Sequence, residues 1–398
     1  MARLRVLSIA TLFPDATRPD FGGFVERSLR EAAKDDAIDL TVVAPLGLPP
    51  WPLSAHPRYA ALANLPHVEL RHGLTVHRPR FRLLPGLSGR WNPALIARAV
   101  MPLARQLAPD LIDAQFYYPD GPAAMRIGTK LGVPFIAKAR GADISHWGHR
   151  KHSSEQVRAT GAAAARSLAV SEALKADMVA LGMDADKIVV HYTGLDHDRF
   201  RPLDRTAAKT ARGLSGPVLL CVGALIERKR QDLVIAALRD LPGATLLIAG
   251  RGEREADYRA LARDLGVAGR VQFLGPVANA DLPALYAAAD VTVMPSNSEG
   301  LANAWIESLA CGTPLVITDA GGARELVRDP VAGRIVGWDV EEIVAAVSAI
   351  LADPPTQAAV SATVRDRFDW GRNGRELAAH WKSVAQAMPS RPEPPADT

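Results

Sequence analysis

Short runs of aliphatic and β-branched residues alternate with amphipathic, helix-length stretches along this chain, and the alternation starts over midway. Strand-like runs fall at 4–11, 39–44, 74–77, 111–114, 135–139 and 167–170, with helical patterns at 25–34 and 93–107 among them. A second series places strands at 217–222, 245–249, 271–274, 291–294 and 315–317. Its helices fall at 230–239, 258–265, 282–289, 304–310 and 340–351. A βαβα rhythm of this kind predicts a parallel sheet covered by helices on both faces. Two doubly wound domains are therefore expected, at 1–195 and 217–365, joined by a polar hinge at 196–216. The Pro-rich, charged tail 389–398 is expected to be disordered. Ligands of such sheets bind beyond the carboxyl ends of the strands. Two domains facing each other across a cleft would suit a reaction that joins two substrates.

A length of 398 residues fits two domains that each bury a sizeable core without staples. Hydrophobic residues make up 48% and charged residues 23%, which excludes collagen, coiled coil and disordered classes. Two cysteines, Cys221 and Cys311, are too few for a four-thiolate zinc site and lie in apolar surroundings, as expected of reduced thiols in the cytoplasm. No apolar run reaches the ~18–20 residues of a spanning helix. The start, 1–13, imitates a signal peptide but runs into Pro14 and Asp15 without a small-residue cleavage site, and reads better as a buried first strand. The formal charge of +4 is modest, and no nucleic-acid module is recognised, so nucleic acid is not an expected partner. His146, His149 and His152 recur at spacing three, which could align them on a helix face, although a polar exposed segment explains them as well.

The most informative stretch is MPSNSEGLANAWIESLACGTP, residues 294–314. A strand ends at Met294, a loop of small residues follows, and a helix begins near 301–303. Glu299 lies at the helix mouth, and Glu307 about two turns inside. A helix N-terminus offers free N–H groups to phosphates, and nearby carboxylates accept hydrogen bonds from hydroxyls such as those of sugar and ribose. An acidic cap with one solvent-facing Glu would be the plain alternative for two isolated carboxylates.

The flanking Pro295, Ser296, Gly300, Asn303 and Gly312-Thr313-Pro314 change that balance. The block resembles the E-x7-E signature of retaining glycosyltransferases with the GT-B fold, the large group-1 family, with Ser308 where Ala is usual. A second block agrees. Gly223-Ala-Leu225-Ile-Glu-Arg228-Lys229-Arg230-Gln-Asp232 resembles the family's G-x-L-x-x-x-K-G-x-D. The resemblance implies that Lys229 contacts the donor diphosphate. Ala224 stands where many members have Arg, so that second cation is absent or supplied by Arg228 or Arg230; Arg230 itself stands where Gly is usual. Gly250-Arg-Gly252 resembles a family turn bordering the nucleotide pocket, and Asp290 reads as a structural cap.

The amino-terminal half is similar to the family as well. Residues 13–26, containing Gly22 and Gly23, resemble its Gly-rich loop, where a bare backbone can approach a phosphate. Lys138-Ala-Arg140-Gly141-Ala-Asp143 falls where many members have His-Gly-x-Asp, so Arg140 replaces a His. Asp143 would bind an acceptor or sugar hydroxyl, or cap the next helix. The segment 366–388 resembles the one that crosses back to close the first domain.

The resemblance implies a sugar transfer from a nucleotide-sugar that keeps the anomeric configuration, with neither cofactor nor metal. Lys229, with Arg228, would hold the diphosphate, Glu307 the ribose and Glu299 the sugar. The Leu301 and Asn303 N–H groups would touch sugar or phosphate, Gly22, Gly23 and Gly250 would line the donor, and Arg140 and Asp143 would join the catalytic set. The acceptor would be a glycan, a lipid-linked or a small molecule, in cell-surface polysaccharide or glycolipid synthesis. Segment 71–91 interleaves Arg71, Arg78, Arg80, Arg82 and Arg90 with Phe81, Leu83, Leu84, Leu87 and Trp91. It is expected to meet an anionic membrane surface or a charged acceptor, giving a cytoplasmic, peripherally attached protein; a solvated loop with core anchors is the plainer reading. A silent sugar- or nucleotide-binding protein and a nucleotide-sugar epimerase are the rivals, together with a phosphorylase that no cofactor-lysine signature supports.

Overall fold

A computed structural model describes residues 3–19, 21–83 and 88–387. The chain divides into two compact units. The first comprises the described parts of Met1–Val170, Leu174–Gly194 and Trp370–Thr398; the second comprises Ser171–Ala173 and Leu195–Asp369.

The first unit is built on an eight-stranded sheet. Its strands are β1 (Leu4–Ile9), β2 (Ile38–Val43), β4 (Val68–Arg71), β5 (Leu74–His77), β7 (Leu111–Ala114), β8 (Phe135–Ala139), β9 (Arg166–Ala169) and β10 (Ile188–Val190). A separate parallel pair joins β3 (Leu46–Leu48) to β6 (Arg80–Arg82). The order across the main sheet is β10-β9-β8-β7-β1-β2-β5-β4. Every pairing is parallel except that of the edge strand β4 with β5. All residues of β7 and β8 are buried, as strands covered on both faces must be. The strand-like runs 4–11 and 39–44 appear nearly as read. The short β3 and β6 were not anticipated, because three residues carry no usable period.

The helix Gly23–Ala32 buries Val25, Leu29 and Ala32, one stripe at helical spacing. The long helix Trp370–Gln386 buries Leu377, Ala378, Trp381 and Val384 in the same core. Gly374 lets the two helices touch: a Cβ there would lie 2.5 Å from the Glu31 carbonyl carbon and 2.7 Å from Ala32 N. Ser28 Oγ donates to Asn373 Oδ1 at 2.6 Å across the seam. The return of the chain to the first unit begins at Trp370, four residues beyond the expected start.

The second unit holds β11 (Val218–Val222), β12 (Thr245–Ala249), β13 (Val271–Gly275), β14 (Val291–Met294), β15 (Leu315–Thr318) and β16 (Gly333–Val336). All are parallel, in the order β13-β12-β11-β14-β15-β16. In sequence terms this is 3-2-1-4-5-6, the dinucleotide-fold order, with its switch point between β11 and β14. The stretch expected as a polar hinge, 196–216, contains the helix Arg205–Thr210 and belongs to this unit. Asp204 caps that helix by accepting from Ala207 N at 3.0 Å. Lys209 and Val218 N share Asp290 Oδ2, so Asp290 is a brace. The tail 389–398 lies outside the described residues.

The close approach at Gly374 makes a direct expectation. Gly374→Ala should lower stability by about 1–3 kcal/mol through overpacking. Gly269→Ala, where a Cβ meets nothing within 4 Å, should stay within about 0.5 kcal/mol of the parent. Urea unfolding midpoints of both variants check this, and equal midpoints would contradict the tight seam.

Candidate functional site

The loops after β11 and β14 leave neighbouring strands in the second unit and meet at the switch point. Gly223 ends β11 at φ 145, a backbone conformation open to glycine, and a Cβ there would stand 3.7 Å from Lys229 Cε. Gly250 repeats the device at the end of β12, with φ 143 and its α-carbon packed on the Gly223 carbonyl. Gly250 therefore shapes the turn behind Gly223. The turn Glu227–Lys229 aims Lys229 Nζ at Glu299 Oε1, and the two form an ion pair. Arg228 Nη1 reaches the same oxygen at 3.2 Å and donates to Ser298 O at 2.8 Å. Asn297 N donates to Arg228 O at 2.8 Å, stitching the two loops together. Arg230 turns away. It sits at φ 50, ahead of the helix Gln231–Ala237, and its guanidinium binds Asp232 at 3.0 Å. The second cation beside Glu299 is thus Arg228, not Arg230.

Beyond Glu299 the helix Asn303–Ala310 begins with Ala302 as its cap, which has no side-chain acceptor. The N–H groups of Leu301 and Asn303 find no partner among the described residues and remain available to a ligand. The Leu301 side chain is buried beneath this loop. Gly321 and Gly322 close on the Glu299 and Gly300 carbonyls, and Gly322 N donates to Gly300 O at 2.7 Å. Ser308, the departure from the usual Ala, donates to Thr292 Oγ1 at 2.8 Å or Thr313 O at 2.9 Å. It pins the helix to β14 without touching the site.

Glu307 projects from the second turn. Tyr286 donates its hydroxyl to Glu307 Oε2 at 3.0 Å. Burial pushes the carboxyl up to about 7, against the Tyr286 hydrogen bond and the Arg199 charge, which both favour the anion. The sequence pattern assigns Tyr286 no role; that its buried hydroxyl must find a partner is the signal that could have linked it to Glu307. Burial also pushes the Cys221 and Cys311 thiols to about 12, so both are inert.

In the first unit the candidates gather at the ends of β1, β7 and β8. Gly22 has φ 74 and its α-carbon packs on Leu12 O, so no other residue fits. A Cβ on Gly23 would meet nothing within 4 Å, so its position is open. Arg140 Nε donates to Gln115 O at 2.7 Å and Nη2 to Gln115 Oε1 at 2.6 Å. Its guanidinium lies 4.9 Å from the centre of the Phe24 ring. Asp143 accepts from the backbone N–H groups of Tyr117, Arg140 and Gly141 at 2.8–3.1 Å. Its fully buried carboxylate is occupied in bracing the turn, so of its two expected roles the structural one fits this geometry.

The basic segment departs from its expected role. Arg78 is 1% exposed and donates to Pro14 O at 2.7 Å and to Glu69. Arg71 pairs with Glu26 at 2.8 Å, and Arg80 donates to the Arg78 and Leu65 carbonyls. These three arginines satisfy the protein's own acceptors and cannot serve a membrane; Arg82 and Arg90 remain exposed. Phe81 is buried, and Leu84 and Leu87 lie outside the described residues. His146 and His149 fall on consecutive short turns and His152 beyond them, not on one helix face. Among the described residues no cluster of three or more His, Cys, Asp or Glu has metal-site geometry. No single helix among them is long and apolar enough to cross a membrane.

Glu307 ties the site to pH. Its folded value of about 7 lies above the ordinary 4.5. Between these values the folded protein holds a proton that the unfolded chain has released, so stability falls as pH rises through that window. Glu307→Gln should be more stable than the parent at pH 8, by on the order of 1–3 kcal/mol, with the gap closing toward pH 4.5. Thermal midpoints at pH 5 and pH 8 test this; a gap independent of pH would mean that Glu307 titrates as an ordinary carboxylate.

Comparison with known proteins agrees with this geometry. Residues 204–367 match the family model for glycosyl transferases group 1, and residues 24–199 match Glycosyltransferase Family 4. The chain is 27% identical to the putative teichuronic acid biosynthesis glycosyltransferase TuaC of Bacillus subtilis, over 96% of this chain and 99% of that protein. It is 38% identical to a GDP-mannose-dependent α-(1-6)-phosphatidylinositol monomannoside mannosyltransferase of Mycolicibacterium smegmatis, over 46% of this chain. It is 39% identical to D-inositol 3-phosphate glycosyltransferase of Mycobacterium marinum, over 42% of this chain. The alignments span only 53% and 38% of these two mycobacterial proteins. Among solved structures, sucrose-phosphate synthase of Thermosynechococcus elongatus superposes with a TM-score of 0.80 at 20% identity, covering 97% of this chain and 100% of that one. HepE of Anabaena, solved in complex with UDP, gives 0.74 at 22% identity, covering 96% and 100%. Two Rossmann-like units, two family matches that together span most of the sequence, and a relative aligned nearly end to end lead to one conclusion: the chain belongs to the glycosyltransferases of group 1 and carries their GT-B fold.

Proposed function

We propose that this chain transfers a sugar from a nucleotide-sugar to an acceptor hydroxyl with retention of anomeric configuration. The observation that carries the reading is the meeting of Lys229, Arg228 and Glu299 at the switch point of the second unit, beside a helix end with free N–H groups. In this reading Lys229 and Arg228 hold the diphosphate and neutralise the charge that grows on the departing nucleotide. Glu299 keeps a second oxygen for a sugar hydroxyl, since both cations share Oε1. Glu307 accepts from the ribose hydroxyls, with Tyr286 holding one of its oxygens. The leaving phosphate takes the acceptor proton, so the chain supplies no separate base and needs no metal or cofactor. HepE binds UDP and UDP-glucose and the M. smegmatis relative uses GDP-mannose, which supports a nucleotide-sugar donor without selecting its base. The relatives' names support an acceptor in cell-surface glycan or glycolipid synthesis.

A panel of nucleotide-sugars, assayed for nucleotide release with and without glycan and lipid acceptors, tests the reading. Acceptor-dependent release is expected. Conversion of the donor without acceptor would indicate an epimerase, and binding without turnover a silent protein. Lys229→Ala should lower turnover about a hundredfold or more while the fold survives, because Arg228 still neutralises Glu299. Unchanged turnover at saturating donor would remove Lys229 from the mechanism.

Peripheral attachment to an anionic membrane is proposed on a narrower basis than the arginine count. Trp51 is 82% exposed and Trp91 48%, both in the first unit, with Arg90 stacked on Trp91 and Arg82 exposed. Exposed Trp and Arg together suit a lipid interface. Replacing Trp51, Arg82, Arg90 and Trp91 with Ser should reduce sedimentation with phosphatidylglycerol vesicles, most clearly at low salt. Absence of vesicle binding by the parent protein would refute the attachment.

A further inference from the structure

The helices Gly23–Ala32 and Trp370–Gln386 of the first unit meet at Gly374, and beside that seam they leave a cavity of about 530 Å³. The volume lies within the roughly 300–1,000 Å³ of small-molecule sites. Five charged side chains line it, Glu31, Lys34, Asp35, Arg375 and Lys382, and the rest of its lining is glycine and alanine. The cavity is remote from the strand ends where Gly22, Arg140 and Asp143 gather. The first helix leaves the carboxyl end of β1 and hands the chain to the amino end of β2 at Ile38. Glu31, Lys34 and Asp35 lie at the far end of that helix, about 15 Å from its start at 1.5 Å per residue.

Both carboxylates of the lining are already matched. Glu31, whose side chain is 6% exposed, takes Arg27 Nε at 3.1 Å and the Lys34 ammonium. Asp35 takes Lys382 Nζ at 2.6 Å and accepts from Ala37 N at 3.1 Å. Arg375 makes no hydrogen bond or ion pair among the described residues. Glu376, the acid next to it in sequence, is taken by Arg372 at 2.7 Å. Glu31 is held from two sides and cannot swing across to neutralise Arg375. Lys34 and Lys382 each spend one ammonium donor on a carboxylate and keep two more. Four cations, Arg27, Lys34, Arg375 and Lys382, thus surround two carboxylates, and the surplus charge stands at a cavity of ligand size. A planar guanidinium with every donor free suits a carboxylate or phosphate better than a halide or a neutral molecule.

We propose that this cavity is a second ligand site, which takes a small molecule bearing a phosphate or carboxylate, with Arg375 as its principal contact and Lys34 and Lys382 beside it. The ligand bridges the first helix and the last, so its binding fastens the returning chain to the first unit and raises the stability of the fold. The proposal does not depend on the glycosyl-transfer reading, since no residue of the lining belongs to the site in the second unit or to the strand ends of the first.

The test is calorimetric binding and thermal midpoint of the full chain, with no turnover required, so its failure leaves the transfer reading standing. The probes are inorganic phosphate, ribose 5-phosphate and citrate, with ribose as the neutral control, all at one fixed ionic strength. At least one anion should bind the parent and raise its midpoint, whereas ribose should do neither. Arg375→Ser should weaken that anion about tenfold or more, yet keep the parent's midpoint when no anion is present, because nothing on the protein holds this guanidinium. Lys34→Ser, which leaves Glu31 paired with Arg27, should weaken it by a smaller factor. Lys229→Ala removes a cation of the second unit and should leave the affinity unchanged. A response to phosphate and ribose 5-phosphate alone assigns the site to phosphates, and a response to citrate alone assigns it to carboxylates. Failure of every anion to bind more tightly than ribose, or an affinity lost in Lys229→Ala and kept in Arg375→Ser, overturns the proposal.

Discussion

The site in the second unit depends on one constraint, the divergence of crossovers between β11 and β14. Parallel neighbours cannot be joined by a tight turn, so each strand leaves through a loop into a helix on one face or the other. The strands following β11 in sequence lie on one side of it, and β14 lies on the other. The two loops that leave at this point find no third element between them, and they bring Lys229 and Arg228 against Glu299. Glycines at 223 and 250 are the local condition, because both take a positive φ that other residues rarely adopt and a side chain at 250 would strike the Gly223 carbonyl.

Polar groups in both units are organised by what burial costs. Lys138, on the fully buried β8, hydrogen-bonds His191 Nδ1 at 2.7 Å, and His191 Nε2 lies 2.9 Å from Asn373 O on the long C-terminal helix. Burial holds both Lys138 and His191 well below their ordinary values, which suits a neutral hydrogen-bonded chain better than a row of charges. The helix is therefore fastened to the first unit by apolar packing at Trp381 and by specific polar bonds at Asn373. Asp290 does the corresponding work in the second unit, gathering Lys209 and the start of β11.

The two glutamates of the signature have different surroundings. Glu299 is an ion-paired carboxylate whose charge is matched by two cations. Glu307 has a neutral donor in Tyr286 and sits where burial disfavours its charge. A ligand that donates hydroxyl protons favours the anion of Glu307, whereas an anionic ligand competes with Glu299 for its cations. Arg140 presents a third arrangement, a cation held by a neutral amide instead of a carboxylate. Such a grip fixes direction without cancelling charge.

Strand and helix periods alone placed most of the two sheets, because buried parallel strands are read from apolar composition and need no partner to be recognised. The loop 294–314 was legible too, since its Pro, Gly and paired Glu positions are local to one loop and one helix. What side chains do with their polar ends was not legible. An arginine's spelling is the same whether it faces solvent or ends on Pro14 O, and only the position of β5 beside β2 makes Arg78 interior. Likewise Arg228 and Arg230 are equivalent neighbours in sequence, and the positive φ at Arg230 decides that one faces Glu299 and the other Asp232. Residues far apart in the chain, such as Gln115 with Arg140 or Ser28 with Asn373, meet only because the sheet and its last helix bring them together. The sequence by itself therefore determined the layers, the strand ends and the residue types at those ends. The tertiary structure decided which charges are satisfied internally and which are left for a ligand, because that depends on distances no local pattern encodes.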